Sequence, residues 1–348
     1  IEFQTMNVVD AADTFSPANN FSVTKSGTIG RAQQLTHFVR VPAGAPALKV
    51  DFSGPTTAAG TGQARFLRWH PYGLGIDSNA VSNCYQPPQA PGAGACTTGS
   101  PTSRTTGAPL AGVWEITVDA RRSSDTDFAP YTMTASILGA TVTPNPDVIP
   151  SATLGVPIAR SYTITNGFGP FTGRATGTTL GSANRLTPTI ANLEQQQFPV
   201  TVAPGSSSLR ATIGGTSDPA ADLDLFVFNC TTGTCVQAGA NADGDSEESV
   251  TINNPAAGLW VVLVDGFAVP AGTTTFNYID VFVNPAFGSV AVTDANALRP
   301  AGSSWTVPGS VTANAAPAAG RVLYGNVRVL TDTNLQVGSG DVIVESVQ

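Results

Sequence analysis

A chain of 348 residues has room for about two to four domains of ordinary size. Gly (36) and Pro (26) are so frequent that the longest stretch free of both, Val113 to Ala129, is 17 residues, which excludes a helical bundle, a coiled coil and a transmembrane helix needing about 20 apolar residues. A net charge of −8, with Lys25 and Lys49 as the only lysines, argues against nucleic acid and acidic membranes, whose phosphates require clustered Lys and Arg.

In chain order, the N-terminus (Ile-Glu-Phe-Gln) has no initiator Met, basic start or apolar run, so the expectation is a processed or excised piece of a longer secreted chain. Val41 to Gly54 then reads as a Pro/Gly turn followed by a strand with Leu48, Val50 and Phe52 at alternate positions, the period of a half-buried strand. Arg65 to Trp69 predicts a further strand, which enters a long Pro- and Gly-rich loop from Pro71 to Cys96. Trp69, Tyr72 and Tyr85 flank this loop with His70, and aromatic rings so placed either stack on a sugar or peptide or cover their own core. Ala111 to Asp119 (AGVWEITVD) is the next strand, and Pro144-Asn145-Pro146 with Pro150 reads as a semi-rigid joint.

Beyond the joint the chain repeats itself. Val202 to Gly215 aligns with Val41 to Gly54 without gaps at an offset of 161, and Ala257 to Asp265 (AGLWVVLVD) matches Ala111 to Asp119 at an offset of 146, five of nine positions being identical. Between these blocks Asp222 to Phe228 stands where copy one has Arg65 to Trp69, with Asp222 and Asp224 set against Ala64 and Phe66. Trp114 and Trp260 fall at matching strand positions and read as core residues. His37 occupies the slot of Phe198 and reads as a half-buried strand residue, not a catalytic base. The fold expected is all-β: tandem antiparallel β-sandwiches of jelly-roll or immunoglobulin-like type without substantial helix. Copy one is assigned to residues 1–143, copy two to 144–285 and a small C-terminal β-module to 286–348.

The four cysteines fall as two short-range pairs, Cys84 with Cys96 and Cys230 with Cys235, each bracketing the hairpin after the strand just compared. This spacing suits disulfides in an exported protein; zinc is the competing reading, for which only His37 and His70 could add ligands. The charge is uneven. From Ala211 to Leu298 there is no Lys or Arg, yet there are ten acids. Alternation puts Asp222 and Asp224 on one face of a strand, and the loop with Asp243, Asp245, Glu247 and Glu248 adds hard oxygen ligands. Such a set is either a solvated acidic face or a Ca²⁺ site without the spacing of an EF-hand.

The run Asp222 to Phe228, the acidic stretch Asp243 to Glu248, and Asn254 to Trp260 with Val264-Asp265-Gly266-Phe267 resemble the bacterial pre-peptidase C-terminal domain, a sandwich appended to secreted peptidases. Arg31 to Gly44 and Pro109 to Asp119 are similar to the region after the catalytic domain in subtilisin-like serine peptidases of the tripeptidyl-peptidase-II type. The Gly-Thr-Ser-Met-Ala, His-Gly-Thr and Asp-Thr/Ser-Gly segments of such a catalytic domain do not occur in these 348 residues. The resemblance therefore implies a secreted accessory region without catalytic residues of its own. Its partners would be the parent's catalytic domain and a protein or polysaccharide substrate. A free-standing adhesion or polymer-binding module using the Trp69, His70, Tyr72 and Tyr85 loop is the other reading.

Overall fold

Alternating burial marks strands such as Ala47–Ser53, Ser208–Gly214, Asp222–Asn229 and Gly258–Ala268 of the computed structural model, which describes residues 12–54, 62, 64–77, 103–122 and 124–348. The first unit contains β1 (Asp13–Thr14), β2 (Ser22–Gly30), β3 (Gln34–Val41), β4 (Ala47–Ser53), β5 (Ala64–Trp69), β6 (Ser103–Gly107), β7 (Gly112–Ala120) and β8 (Phe128–Leu138). These form two four-stranded sheets, ordered β1-β3-β7-β5 and β2-β8-β4-β6. Leu48, Val50 and Phe52 from one sheet meet Val39, Trp114, Ile116 and Val118 from the other in one core, as the period of two dictates.

The chain continues through β9 (Ala140–Thr143), β10 (Asp147–Ile149), β11 (Ile158–Asn166) and β12 (Phe171–Gly177) before the second copy begins. That copy comprises β13 (Gly181–Leu186), β14 (Thr189–Ala191), β15 (Gln195–Val202), β16 (Ser208–Gly214), β17 (Asp222–Asn229), β18 (Val236–Asn241), β19 (Ser249–Asn253), β20 (Gly258–Ala268), β21 (Thr273–Thr275) and β22 (Asn277–Val283). Its sheets run β15-β20-β17-β18 and β13-β22-β16-β19. The order β13-β22-β16-β19 repeats β2-β8-β4-β6, and β15, β20 and β17 take the places of β3, β7 and β5, while the edge strands β1 and β18 lie at opposite ends of their sheets. The paired tryptophans show how closely the copies agree. Trp114 and Trp260 are each 2% exposed, and each indole N–H donates to the carbonyl four residues earlier, Leu110 at 2.8 Å and Ala256 at 2.9 Å.

The last strands are β23 (Gly288–Val292), β24 (Ala297–Arg299), β25 (Ser304–Ala313), β26 (Val322–Thr331) and β27 (Gln336–Val344). Residues 286–348 do not stand apart as a small module. One four-stranded sheet is ordered β23-β25-β11-β9. In the facing sheet β10 pairs with β27, β27 with β26, and β26 with both β12 and β13. A third sandwich is thus assembled from segments on either side of copy two, which is inserted between β12 and β23. Each segment puts strands into both layers, β9 and β11 with β23 and β25 in one sheet and β10 and β12 with β24, β26 and β27 in the other, so neither segment closes a sheet alone. The prolines at 144–146 accordingly turn the chain from β9 to β10 within this third sandwich instead of linking two copies. Strand β13 pairs with β22 of copy two and β26 of the third sandwich, so both share one nine-stranded sheet.

The helical elements among the described residues are two single 3₁₀ turns, Pro17–Asn19 and Pro285–Phe287. No helix among these residues is long and apolar enough to cross a membrane.

Candidate functional site

Strand β17 buries Leu223, Leu225 and Val227 completely, which leaves Asp222 and Asp224 together on the opposite face. Its neighbour β20 runs antiparallel, with Asp224 directly across from Asp265, and the register slips between Asp222 and Asp224 so that Asp222 lies across from Ala268. A bulge of this kind re-aims a side chain locally. The loop between β18 and β19 brings in the other acids. One carboxylate oxygen from each of Asp243, Asp245 and Glu248 lies within 4.8 Å of the others.

Hydrogen bonds fix this loop against the sandwich. Ser246 Oγ donates to the Ala221 carbonyl at 2.6 Å, and the Ile213 N–H donates to the Glu248 carbonyl at 3.0 Å. The Glu247 N–H donates to Asp245 Oδ1 at 2.9 Å and the Asp243 N–H to Glu248 Oε1 at 3.2 Å. Glu247 is turned elsewhere: its Oε1 accepts from the N–H of Gly215 at 3.1 Å, a residue held in the left-handed region at φ +61°. Asp243, Asp245 and Glu248 therefore converge, with Asp222 and Asp224 close enough on β17 to act on them electrostatically, while Glu247 braces the loop.

The electrostatics show what this convergence costs. Burial pushes the Glu248 carboxyl up to about 7; the Asp243, Asp245 and Asp224 carboxylates act in the same direction, and the Asp243 N–H opposes them. Asp222 is raised by burial and then by Asp243 and Asp245. Asp224 is raised by burial and then by Asp222, Asp265 and Asp243. Glu248 is 0% exposed, and its Oε2, like Asp222 Oδ1, is buried without a hydrogen-bond partner. An orphaned carboxylate oxygen carries the full desolvation penalty. Converging carboxylates with spare lone pairs are the donors that hard divalent cations take.

Copy one shows the same position solved differently. Its β5–β7 ladder pairs Arg65 with Asp119, and the aligned tryptophans make Asp119 the counterpart of Asp265. Arg65 is thus the structural equivalent of Asp224, and Phe66, 1% exposed, that of the buried Leu225. This corrects by one residue the sequence alignment that set Ala64 and Phe66 against the two aspartates. Arg65 Nε donates to Asp119 Oδ2 at 2.6 Å. Where copy one carries an ion pair, copy two places two acids across from each other. Asp265 was absent from the sequence-derived set, although its repeat alignment with Asp119 was the available signal.

The other candidates divide. Cys230 and Cys235 form a disulfide with an S–S distance of 2.01 Å, in place of the zinc alternative for that pair. Cys84, Cys96 and Tyr85 lie outside the described residues. Tyr72 is 80% exposed, whereas the Trp69 ring lies against Gly75. His70 Nδ1 accepts the Tyr72 N–H at 3.1 Å, and the two rings meet edge to face at 5.7 Å. His37 Nε2 lies 2.9 Å from Tyr131 Oη, and burial, then Lys25, lowers its pKa against the opposing Asp13. Its repeat partner Phe198 stacks on Tyr278 at 4.0 Å, so the slot packs on a tyrosine in both copies.

Residues 197–266 match the family described as the bacterial pre-peptidase C-terminal domain, the segment on which copy two carried that resemblance. The chain is 24% identical over 289 residues to Pyrolysin of Pyrococcus furiosus, an alignment that takes in 80% of this chain and 18% of the relative. It therefore spans less than a fifth of that protein's length. Among solved structures, that of tripeptidyl peptidase 2 (TPP II) aligns with 93% of this chain and 30% of its own at 9% identity and a TM-score of 0.43. PliG of Aeromonas hydrophila, a periplasmic inhibitor of g-type lysozyme, aligns with 29% of this chain and 87% of its own at 17% identity and a TM-score of 0.23. The resemblance to the C-terminal accessory region of a subtilisin-like peptidase is borne out by the family match and the Pyrolysin alignment.

Proposed function

We propose that this chain is a non-catalytic accessory region of a secreted subtilisin-like serine peptidase, and that Ca²⁺ clamps its second copy. The observation carrying the first part is the alignment of four-fifths of the chain with a small fraction of a much longer relative. A region built of fused sandwiches would stabilise the parent enzyme, position its substrate or mediate assembly with its catalytic domain. The Cys230–Cys235 disulfide supports an extracellular setting. The purified chain is expected to leave casein uncut and to remain unlabelled by a fluorophosphonate; stoichiometric labelling at a serine overturns this reading. An adhesion role through Tyr72 is the alternative, supported by the exposure of that ring.

The calcium part rests on the buried Glu248, whose Oε2 has no hydrogen-bond partner and whose carboxylate lies within 4.8 Å of those of Asp243 and Asp245. Asp222 and Asp224 interact with these three and Asp265 faces Asp224, while Glu247 holds the loop. Binding to the folded state alone stabilises it by about 2.7 kcal/mol at a hundredfold excess over Kd. Calorimetry and melting with and without EDTA test it, with Asp222→Ala/Asp224→Ala as the control. A wild-type midpoint indifferent to millimolar calcium, with no binding heat, leaves only a solvated acidic face.

A further inference from the structure

The nine-stranded sheet turns one face away from the sandwich cores, and cavities open on that face where copy two and the third sandwich share it. A cavity of about 540 Å³ there is lined by residues of both copy two and the third sandwich, including Arg210 and Arg328. A second, of about 530 Å³, adjoins it at Tyr324 and Asp341 and is lined by Arg185. Strand register accounts for the grouping. Arg210 lies across from Val281, Arg185 across from Ile279 and Arg328 across from Ser339.

These three arginines are set apart from those of the chain that acids hold. Arg31, Arg65, Arg68, Arg104, Arg160, Arg299 and Arg321 are ion-paired with aspartates. Arg185, Arg210 and Arg328 have no carboxylate partner among the described residues, and Arg328 Nε is buried without any hydrogen-bond partner. Asp341, the acid in the groove, is occupied by Tyr324 Oη at 2.6 Å and Asn326 Nδ2 at 2.9 Å. Three uncommitted guanidinium groups on one face of a chain with net charge −8 mark a site for an anion.

We infer that this groove binds an acidic oligosaccharide, a reading that goes beyond the accessory role. The walls offer the hydroxyls of Thr178, Ser208, Thr251 and Ser339, which suit a polyhydroxylated ligand. Val281 and Tyr324, which line the cavity and pack with the buried Ala183 and Ile343, offer apolar surface fit for the C–H face of a sugar ring. An extended peptide is a poorer fit, because the strand N–H and C=O groups are already paired in the ladders and a sheet face has no free edge to extend. The ligand's anion is a uronate carboxylate or a sulfate ester, both of which a guanidinium fork binds.

Calorimetric titration of the full chain with tri-galacturonate, a heparin-derived tetrasaccharide, neutral maltotriose and hexaglutamate tests this. Binding of tri-galacturonate identifies a uronate site, and binding of the heparin fragment alone a sulfate site. In either case Arg210→Gln and Arg328→Gln should each weaken it about tenfold or more, the loss of one charged hydrogen bond, and added salt should weaken it further. The exposed Arg185→Gln is the variant least able to disturb folding and should also weaken binding. Absence of binding to either acidic saccharide, equal binding of maltotriose, preference for hexaglutamate, or affinity unchanged in all three variants overturns the proposal.

Discussion

Substituting Asp224→Arg would give copy two the arrangement of copy one. In copy one Arg65 and Asp119 face each other across β5 and β7 and are joined at 2.6 Å, with side chains only 15% and 12% exposed. Asp224 faces Asp265 in the equivalent ladder. Replacing a like-charge pair by an opposite-charge pair at directly opposed positions changes the cross-strand term by about 1–2 kcal/mol, with the charged hydrogen bond contributing at the upper end. The change also removes one of the carboxylates that raise Glu248. Copy two shares a sheet with the third sandwich, so the cooperative unit is on the order of 200 residues, and the metal-free melting temperature should rise by about 3–6 °C. Calcium should have the reverse effect: the wild type gains about 2.7 kcal/mol at a hundredfold excess over Kd, whereas the variant has lost a ligand and gained a positive charge. The order of stabilities therefore inverts between EDTA and calcium, which paired thermal melts would show. A variant less stable than wild type in EDTA, or one that responds to calcium as the wild type does, refutes the reasoning.

Four further outcomes are expected. In EDTA the folded state holds the Glu248 proton up to about 7, against an ordinary 4.5, so it binds protons more tightly than the unfolded chain. Metal-free stability must then fall as pH rises between those values and level off above them; the interval corresponds to about 3 kcal/mol, reduced to about 1–2 by solvent at the exposed Asp243 and Asp245. Urea midpoints across this range should show the fall in the wild type and lose it in Glu248→Gln. Cys230→Ser/Cys235→Ser should cost about 2 kcal/mol by loop closure, read as a lower urea midpoint, and no change would assign the clip no part in stability. Trp260→Phe removes the bond to Ala256 and leaves a void, so it should cost about 2–3 kcal/mol in the same assay, with a similar loss for Trp114→Phe. A chain ending at residue 285 should bind a hydrophobic dye and be cut by protease within 140–180, since β10 to β13 lose the partners supplied by β24 to β27; a stable, protease-resistant product would contradict the inserted topology.

Much of this protein was legible in one dimension because its signals are local. Alternation at Leu48, Val50 and Phe52 places strands on a core, and the repeated tryptophan blocks imply two copies because identical strands solve the same packing problem. Cys230 and Cys235 are so close in sequence that a turn between them suffices to join them. What escaped the sequence depends on register and on pairing between distant segments. A shift of one residue decides whether Arg65 or Phe66 stands for an aspartate, since side chains change faces at every step of a strand. Asp222 and Asp224 alternate onto one face by local geometry, yet it is the ladder to β20 that sets Asp265 against Asp224, and the bond from Gly215 that removes Glu247 from the cluster. The third sandwich is the clearest case. Its two halves are separated by the whole of copy two and share only a weak echo, Ser161 to Thr165 with Ser304 to Val307, which does not say that they pair, so only the folded chain, by hydrogen-bonding β11 to β25 and β26 to both β12 and β13, joins them and gathers Arg185, Arg210 and Arg328 on the outer face of the nine-stranded sheet.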